Sequence, residues 1–221
     1  MDRFEDIHRK VHSSIVQENS DIRNSFLNHF SFDIGKFSYD MAKAFQNWKL
    51  FDDKTKLDRE KAAISAMLYL AITLNISSMK LFISGNPIAS GNIHRQVLES
   101  IALAFLFSDR SFDTLELFMK QKYPANKAIK DVIKHQSKLH LNKDSLDILS
   151  DSYRFYRHYS HITSNTIASF VSIADKAICV GLYFDKNKIS EYNKEIKMRV
   201  SLASIFSNIV ESVIKNVSSW K

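Results

Sequence analysis

The sequence predicts an all-α fold, a multi-helix bundle with two central apolar helices and a long C-terminal helix. Gly and Pro number only four and two among 221 residues, roughly a quarter of average usage. That scarcity disfavours sandwiches, barrels and propellers, which need many turns. Apolar residues recur with a helical period through most of the chain. At 45% of the sequence, hydrophobic residues suffice for one sizeable core.

The first 55 residues predict an N-terminal helical pair, over 3–29 and 32–50, that packs separately from the rest or dimerises. A polar break follows at 52–55. Residues 56–221 then supply the bundle core. Because no linker, repeat or low-complexity tract is visible, we predict one domain over 1–221.

Two helices, over 57–84 and 91–108, are predicted to lie at the centre of the bundle. The first is apolar on nearly every face, which is typical of a helix surrounded by others. The sequence Ser84-Gly85-Asn86-Pro87 predicts a turn between them. Candidate N-caps are Asp58 or Thr55 for the first helix and Ser90 or Asn92 for the second.

The second half of the chain predicts several shorter helices and one long one. Pro124 separates the first two shorter helices, 112–122 and 125–141. The segment 163–187 is ambiguous, since Ala177–Phe184 is compatible with a buried helix end or a short strand. Asp144 or Ser145 is the expected N-cap of the third shorter helix, 145–162. The predicted helices are 112–122, 125–141, 145–162 and 188–219.

Composition excludes several classes of function. The four glycines form no phosphate-binding loop, and a single cysteine excludes an internal disulfide and a cysteine-cluster metal site. No acid stands at a metal-binding offset from His158 and His161 or from His135 and His140, so we expect no metal and no cofactor. The charged start lacks a signal sequence, and the apolar stretch 62–76 is too short and polar for a membrane span. We therefore expect a cytoplasmic protein with no membrane partner.

Positive charge is concentrated in one segment. The formal net charge is +7, and residues 120–143 hold seven lysines against a single acid. Such a stretch favours a phosphate-bearing partner, although a solvated helix face has the same composition. The candidate nucleic-acid-binding residues are Lys127, Lys130, Lys134 and Lys138.

Arg95 and Glu99 form the first candidate polar site. Their spacing of four puts both side chains on one face of an otherwise apolar helix. A charge there needs a partner, because desolvating it alone costs several kcal/mol. The pair either fixes helix packing as a buried ion pair or positions a polar site.

The segment YRFYRHYSHIT, residues 153–163, is the densest polar and aromatic cluster in the chain. Four basic side chains fall at i, i+3, i+4 and i+7, which predicts one stripe along about two helical turns. Tyrosines flank the stripe on both sides. The stripe is Arg154, Arg157, His158 and His161, and the supporting tyrosines are Tyr153 and Tyr156.

These residue types suit cleavage of a phosphodiester without metal. A histidine can exchange a proton near neutral pH, and an arginine can hold a phosphate and stabilise developing charge. The RNA 2′-hydroxyl would be the nucleophile, so no nucleophilic side chain is required. The alternative is a structural or plain binding role, since arginine and histidine are common on basic helix surfaces.

The spacing Arg154-x6-His161 in a late helix resembles the HEPN superfamily. The superfamily comprises compact helical domains, many of them metal-independent ribonucleases in toxin–antitoxin, abortive-infection and CRISPR systems. The resemblance implies that His161 is the general base or acid and that Arg154 holds the phosphate, with Arg157 as an alternative. It also implies an RNA substrate, a homodimer, and an antitoxin or defence-system partner. Phe155 departs from the polar residue that commonly follows the arginine.

A non-enzymatic interaction module is the alternative function. In that case the chain binds a protein partner or nucleic acid. The charged residues of both candidate sites then stabilise the packing of neighbouring helices through polar contacts.

Overall fold

A computed structural model describes residues 4–16, 20–55, 57–160, 166–167, 171–172, 177–178 and 183–220. Over these residues the chain is an all-α bundle with eight α-helices, which confirms the predicted fold class. The helices are α1 (Phe4–Val16), α2 (Ser20–Thr55), α3 (Arg59–Ile83), α4 (Pro87–Phe107), α5 (Thr114–Met119), α6 (Ala128–Lys134), α7 (Lys143–Tyr156) and α8 (Ile189–Ser218). Short 3₁₀ turns lie at Arg110–Phe112, Ala125–Lys127, Arg157–Ser160 and Lys186–Lys188.

The hairpin of α3 and α4 forms the apolar centre, as predicted. Asp58 caps α3, since its carboxylate accepts hydrogen bonds from the Glu60 and Lys61 amides at 3.1 Å. By length and composition α3 could also cross a membrane, a property that central bundle helices share. The start of α4 differs from the prediction: Asn86 caps it and Pro87 opens it, because proline suits the first helical position.

The helix α2 packs along α8 and α3 and contributes to the same core. Its Phe26 ring lies 5.2 Å from Phe82 and 4.9 Å from both Phe184 and Tyr192. The predicted bounds of the first two helices are wrong, since they span 4–16 and 20–55. The break predicted at 30–31 is instead a kink at Phe30 (φ −123°, ψ 21°) within one long helix.

Three shorter helices, α5, α6 and α7, cover α4. The predicted helices 112–122 and 125–141 are each shortened, because 3₁₀ turns and left-handed residues, including Asp113 (φ 51°), interrupt them. The N-cap of α7 is Asn142, whose side-chain oxygen accepts a hydrogen bond from the backbone amide of Ser145 at 2.7 Å. The predicted caps, Asp144 and Ser145, lie inside the helix, which begins at Lys143.

The ambiguous segment contains a strand pair. Val171–Ser172 (β1) pairs antiparallel with Ala177–Ile178 (β2). The strand alternative therefore holds for the start of the stretch 177–184, while 179–182 lie outside the described residues.

Candidate functional site

The end of α7 carries the predicted basic stripe. Arg154 lies in the last turn of α7 with its side chain 71% exposed, and its guanidinium is 3.6 Å from the Asp151 carboxylate. Arg157 is exposed and His158 is half-buried. His161 lies outside the described residues.

The prediction of one α-helical stripe is wrong beyond Tyr156. There α7 ends, and Arg157–Ser160 forms a 3₁₀ turn. The Tyr159 hydroxyl donates a hydrogen bond to the Glu195 carboxylate of α8, and its ring lies against Gly91 of α4. We attribute the change of helix type to these tertiary contacts, because periodicity alone would have continued the helix.

Beneath this turn lies a buried polar network centred on Glu195. Its carboxylate accepts hydrogen bonds from Tyr156 (3.0 Å), Tyr159 and Arg199. Glu195 is only 3% exposed and Arg199 is fully buried. The two tyrosines belong to the end of α7 and its 3₁₀ turn, so one carboxylate joins that segment to α8.

Arg199 links the network to α3 and α4. Its guanidinium donates to the Ser90 hydroxyl and the Tyr156 hydroxyl, and lies 4.8 Å from the centre of the Phe82 ring. Burial alone would lower the pKa of Arg199, but Tyr156 and Glu195 outweigh it and raise that pKa. Arg199 therefore stays charged and balances Glu195.

His94 of α4 is a further ionisable group beside the network. Its ring lies 4.2 Å from the Tyr156 ring, and Nδ1 is 3.5 Å from the Ser78 hydroxyl. Burial, and next the nearby Arg199 charge, hold the pKa of His94 well below its ordinary value of 6.5. The imidazole is therefore neutral at physiological pH.

Three polar atoms of this region are buried without a hydrogen-bond partner within the described part of the chain. They are Nε2 of His94, Nε of Arg199 and the hydroxyl of Ser152, one turn before Tyr156 on α7. Native interiors satisfy most such atoms, so the cluster departs from ordinary core packing.

The two supporting tyrosines occupy different environments. Tyr153 is half-buried, whereas Tyr156 is fully buried. Burial raises the pKa of Tyr156 well above its ordinary value, so its hydroxyl remains a neutral donor. Burial and the Glu195 carboxylate likewise raise the pKa of Tyr159.

The sequence predictions placed Ser90 at a helix cap rather than in a site, and they did not single out four further residues of the network: Ser78, His94, Glu195 and Arg199. A signal for the last two was present in α8. Tyr192, Glu195, Ile196, Arg199 and Val200 share the i, i+3, i+4, i+7, i+8 pattern of one helix face, and that face is buried. Two opposite charges on a core-facing stripe indicate a buried pair.

Arg95 and Glu99 do lie together. Arg95 Nε is 3.0 Å from Glu99 Oε1, and the side chains are 21% and 16% exposed. The pair is thus nearer the solvent than the network around Glu195.

The four predicted nucleic-acid-binding lysines separate into two groups. Lys127, Lys130 and Lys134 are exposed at i, i+3 and i+7, on and just before α6. Lys138 lies beyond α6, where its ammonium donates to the Ser111 hydroxyl and sits 4.5 Å from the centre of the Phe112 ring. Three lysines therefore share one exposed face, and the fourth is anchored elsewhere.

Two grooves lie between α2 and α8, away from these residues. One, of about 330 Å³, lies beside Phe51 and Ile214, and the other, of about 380 Å³, beside Asp40 and Ser207. Neither groove includes a residue from the end of α7.

The chain matches no protein-family model, no curated protein and no solved structure. The resemblance to the HEPN superfamily stays a prediction from the helical fold and the Arg154-to-His161 spacing.

Proposed function

We propose that the chain binds RNA at the end of α7 and cleaves it there without metal. The observation that carries the proposal is the outward position of Arg154 and Arg157, with the half-buried His158 next to Arg157, whose Nε lies 3.5 Å from His158 Nε2. Arginine side chains are well suited to binding phosphate oxygens. The formal charge of +7 and the exposed lysines of α6 favour the same anionic partner.

Cleavage would use the RNA's own 2′-hydroxyl as nucleophile. A histidine, His158 or His161, removes the 2′-hydroxyl proton as oxygen attacks the adjacent phosphorus. Arg154 or Arg157 stabilises the charge that develops on the phosphoryl oxygens. The bond from phosphorus to the 5′-oxygen breaks, and that oxygen takes a proton from water or from the histidine that removed the 2′-hydroxyl proton. The products are a 2′,3′-cyclic phosphate and a 5′-hydroxyl.

This chemistry agrees with the HEPN-like activity that the Arg154-x6-His161 spacing implies. On that basis the protein acts in phage defence or as a toxin. It then works as a homodimer, with an antitoxin or another defence component as its partner.

The first test is cleavage and binding of a single-stranded RNA by the purified protein in EDTA. We expect wild type to produce 2′,3′-cyclic phosphate ends and His161→Ala to bind RNA without cleaving it. His158→Ala run in parallel assigns the proton-transfer role. Arg154→Ala combined with Arg157→Ala should weaken binding, because phosphate contacts are lost.

A matched control removes the same kind of charge elsewhere. Arg23 is exposed on α2, so Arg23→Ala should leave binding and cleavage nearly unchanged. Absence of RNA binding by wild type at low salt would contradict the proposal. Cleavage retained by both histidine variants would contradict the catalytic assignment while leaving RNA binding in place.

A second candidate function, binding of a protein partner, is favoured by the apolar face of α1. Its large side chains recur at i, i+3, i+7 and i+11 and are 41–76% exposed: Phe4, Ile7, Val11 and Ile15. An amphipathic helix of this kind commonly docks its apolar face in a partner's groove. The partner is a second copy of the chain or another protein.

Light scattering after size-exclusion chromatography tests this second function. If α1 mediates self-association, Ile7→Lys with Val11→Lys should convert a dimer to a monomer without altering the helical circular dichroism. Glu5→Lys with Asp6→Lys, on the polar side of the same helix, is the matched control. An unchanged oligomer in the first variant would exclude α1 as its interface.

A further inference from the structure

The side chains of residues 153–159 differ in burial, with some facing solvent and others facing the core. Arg154 and Arg157 are exposed, whereas Tyr156 is buried and Tyr159 is held against Glu195. Because these residues share one short stretch of backbone, the inward side chains determine where the outward side chains lie.

Gly91 supplies the surface on which the turn rests. A Cβ atom at this position would lie 2.5 Å from Cγ of the Tyr159 ring, closer than carbon atoms can pack. Cγ sits at the base of the ring and cannot move away without the turn. Glycine is therefore required here for contact with a neighbouring ring.

Glu195 holds both tyrosines with a single carboxylate. Oε1 accepts from Tyr159, and Oε2 accepts from Tyr156 and Arg199. Arg199 in turn donates to Ser90, one residue before Gly91. The same two α8 side chains thus fix the turn and the α4 surface beneath it.

We propose that Tyr159, Glu195 and Arg199 are positioning residues for the RNA site at the end of α7, an inference that rests on the proposed function. They touch neither phosphate nor the reacting atoms. They act by keeping Arg154, Arg157 and His158 on one rigid surface, so that several phosphate contacts form at once. Supporting residues of this kind commonly decide whether a site is geometrically competent.

The test compares Tyr159→Phe and Gly91→Ala with wild type in the full chain. The first keeps the ring and loses the hydrogen bond to Glu195, and the second keeps the hydroxyl and displaces the ring. We measure the affinity for a single-stranded RNA of fixed sequence at several salt concentrations, at a temperature where every variant is folded. Both variants should bind about tenfold more weakly, as expected for loss of one charge-assisted contact. The slope of log K against log salt should flatten by about 0.7 per lost contact.

The control is Asn216→Ala, at the opposite end of α8. It removes a buried hydrogen bond to the Ser108 hydroxyl (3.0 Å) and should lower thermal stability without changing the salt slope. A purely structural role predicts that Tyr159→Phe behaves like this control. If Gly91→Ala does not fold, Tyr159→Phe alone decides.

The outcomes separate the two proposals. If wild type binds RNA and Tyr159→Phe has the same salt slope as wild type, the positioning role is wrong and the proposed function stands. No RNA binding by wild type overturns the proposed function, and the positioning role with it. A flattened slope in Tyr159→Phe but not in Asn216→Ala supports both.

Discussion

Two ion pairs of the same composition and spacing lie at different depths of the bundle. Arg95 and Glu99 on α4 are 21% and 16% exposed in their side chains, whereas Glu195 and Arg199 on α8 are 4% and 0% exposed. Both pairs are i, i+4 pairs of arginine and glutamate. The arginine comes first in α4 and the glutamate comes first in α8. The main difference between the pairs is their burial.

The difference shows that spacing alone does not determine what an ion pair contributes. Arg95 and Glu99 keep partial access to water, which screens their attraction. Glu195 and Arg199 have lost that access and depend on each other, on Tyr156 and Tyr159, and on Ser90. The deep pair therefore tolerates the loss of one member poorly.

The largest expected effect is that of Glu195→Ala. It leaves Arg199 charged and buried without its carboxylate, which typically costs about 3–5 kcal/mol of unfolding free energy. Chemical denaturation monitored by circular dichroism measures the loss.

The combined variant Glu195→Leu with Arg199→Met sharpens this result. It leaves no buried charge, so it should be more stable than Glu195→Ala although the two tyrosine hydroxyls lose an acceptor. Equal stability of the two variants would show that the hydrogen bonds of Tyr156 and Tyr159, rather than the unpaired charge, dominate the cost.

His94 makes the deep region sensitive to acid. Its folded-state pKa lies well below its ordinary value of 6.5, so below that pH the unfolded chain binds a proton that the folded chain does not. The stability associated with His94 is fully present above pH 6.5. It falls as pH drops toward the folded-state pKa, by at most about 1.4 kcal/mol per pH unit.

The test measures the unfolding free energy of wild type and of His94→Leu at pH 7 and at pH 5. The difference between the two pH values should be smaller in the variant, because the titrating group is gone. His29→Leu, at an exposed position of α2, is the control. An identical pH dependence of wild type and His94→Leu would rule out His94 as its source.

The smallest effect is expected at the shallow pair. Glu99→Ala should cost about 1 kcal/mol or less, since partly exposed ion pairs contribute about 0.2–1 kcal/mol. The loss should decrease further in 1 M salt, which screens charges at short range. A loss as large as that of Glu195→Ala would remove the distinction between the two regions.

The fold class could be predicted because it depends on local patterns. The apolar run of α3, the cap at Asp58 and the stripe of α8 each follow from residues close together in sequence. Boundaries set by distant contacts could not be predicted in this way. The end of α7 at Tyr156 depends on Glu195 and Gly91, which lie far away in the chain.

The candidate site was predicted in part for the same reason. The sequence grouped Arg154, Arg157 and His158 by their residue types and spacing, but not by their exposure, which is high for the two arginines and intermediate for His158. The sequence also grouped Tyr156 with them, but its ring turns inward to a network contributed by four helices. The α8 stripe indicates the buried Glu195–Arg199 pair, but only the positions of Ser90 and His94 in space show that the network extends to α4.

The network around Glu195 also has a consequence for the order of folding. Ser78 and Ser90 exchange hydrogen bonds across the α3–α4 hairpin, a local contact that forms at small entropic cost. Arg199 reaches Ser90 across 109 positions of sequence, so closing that loop is slow by comparison. We expect the hairpin to form first and α8 to dock late, carrying Glu195 and Arg199 already paired within one helix. Weakening the network should then accelerate unfolding more than it slows folding.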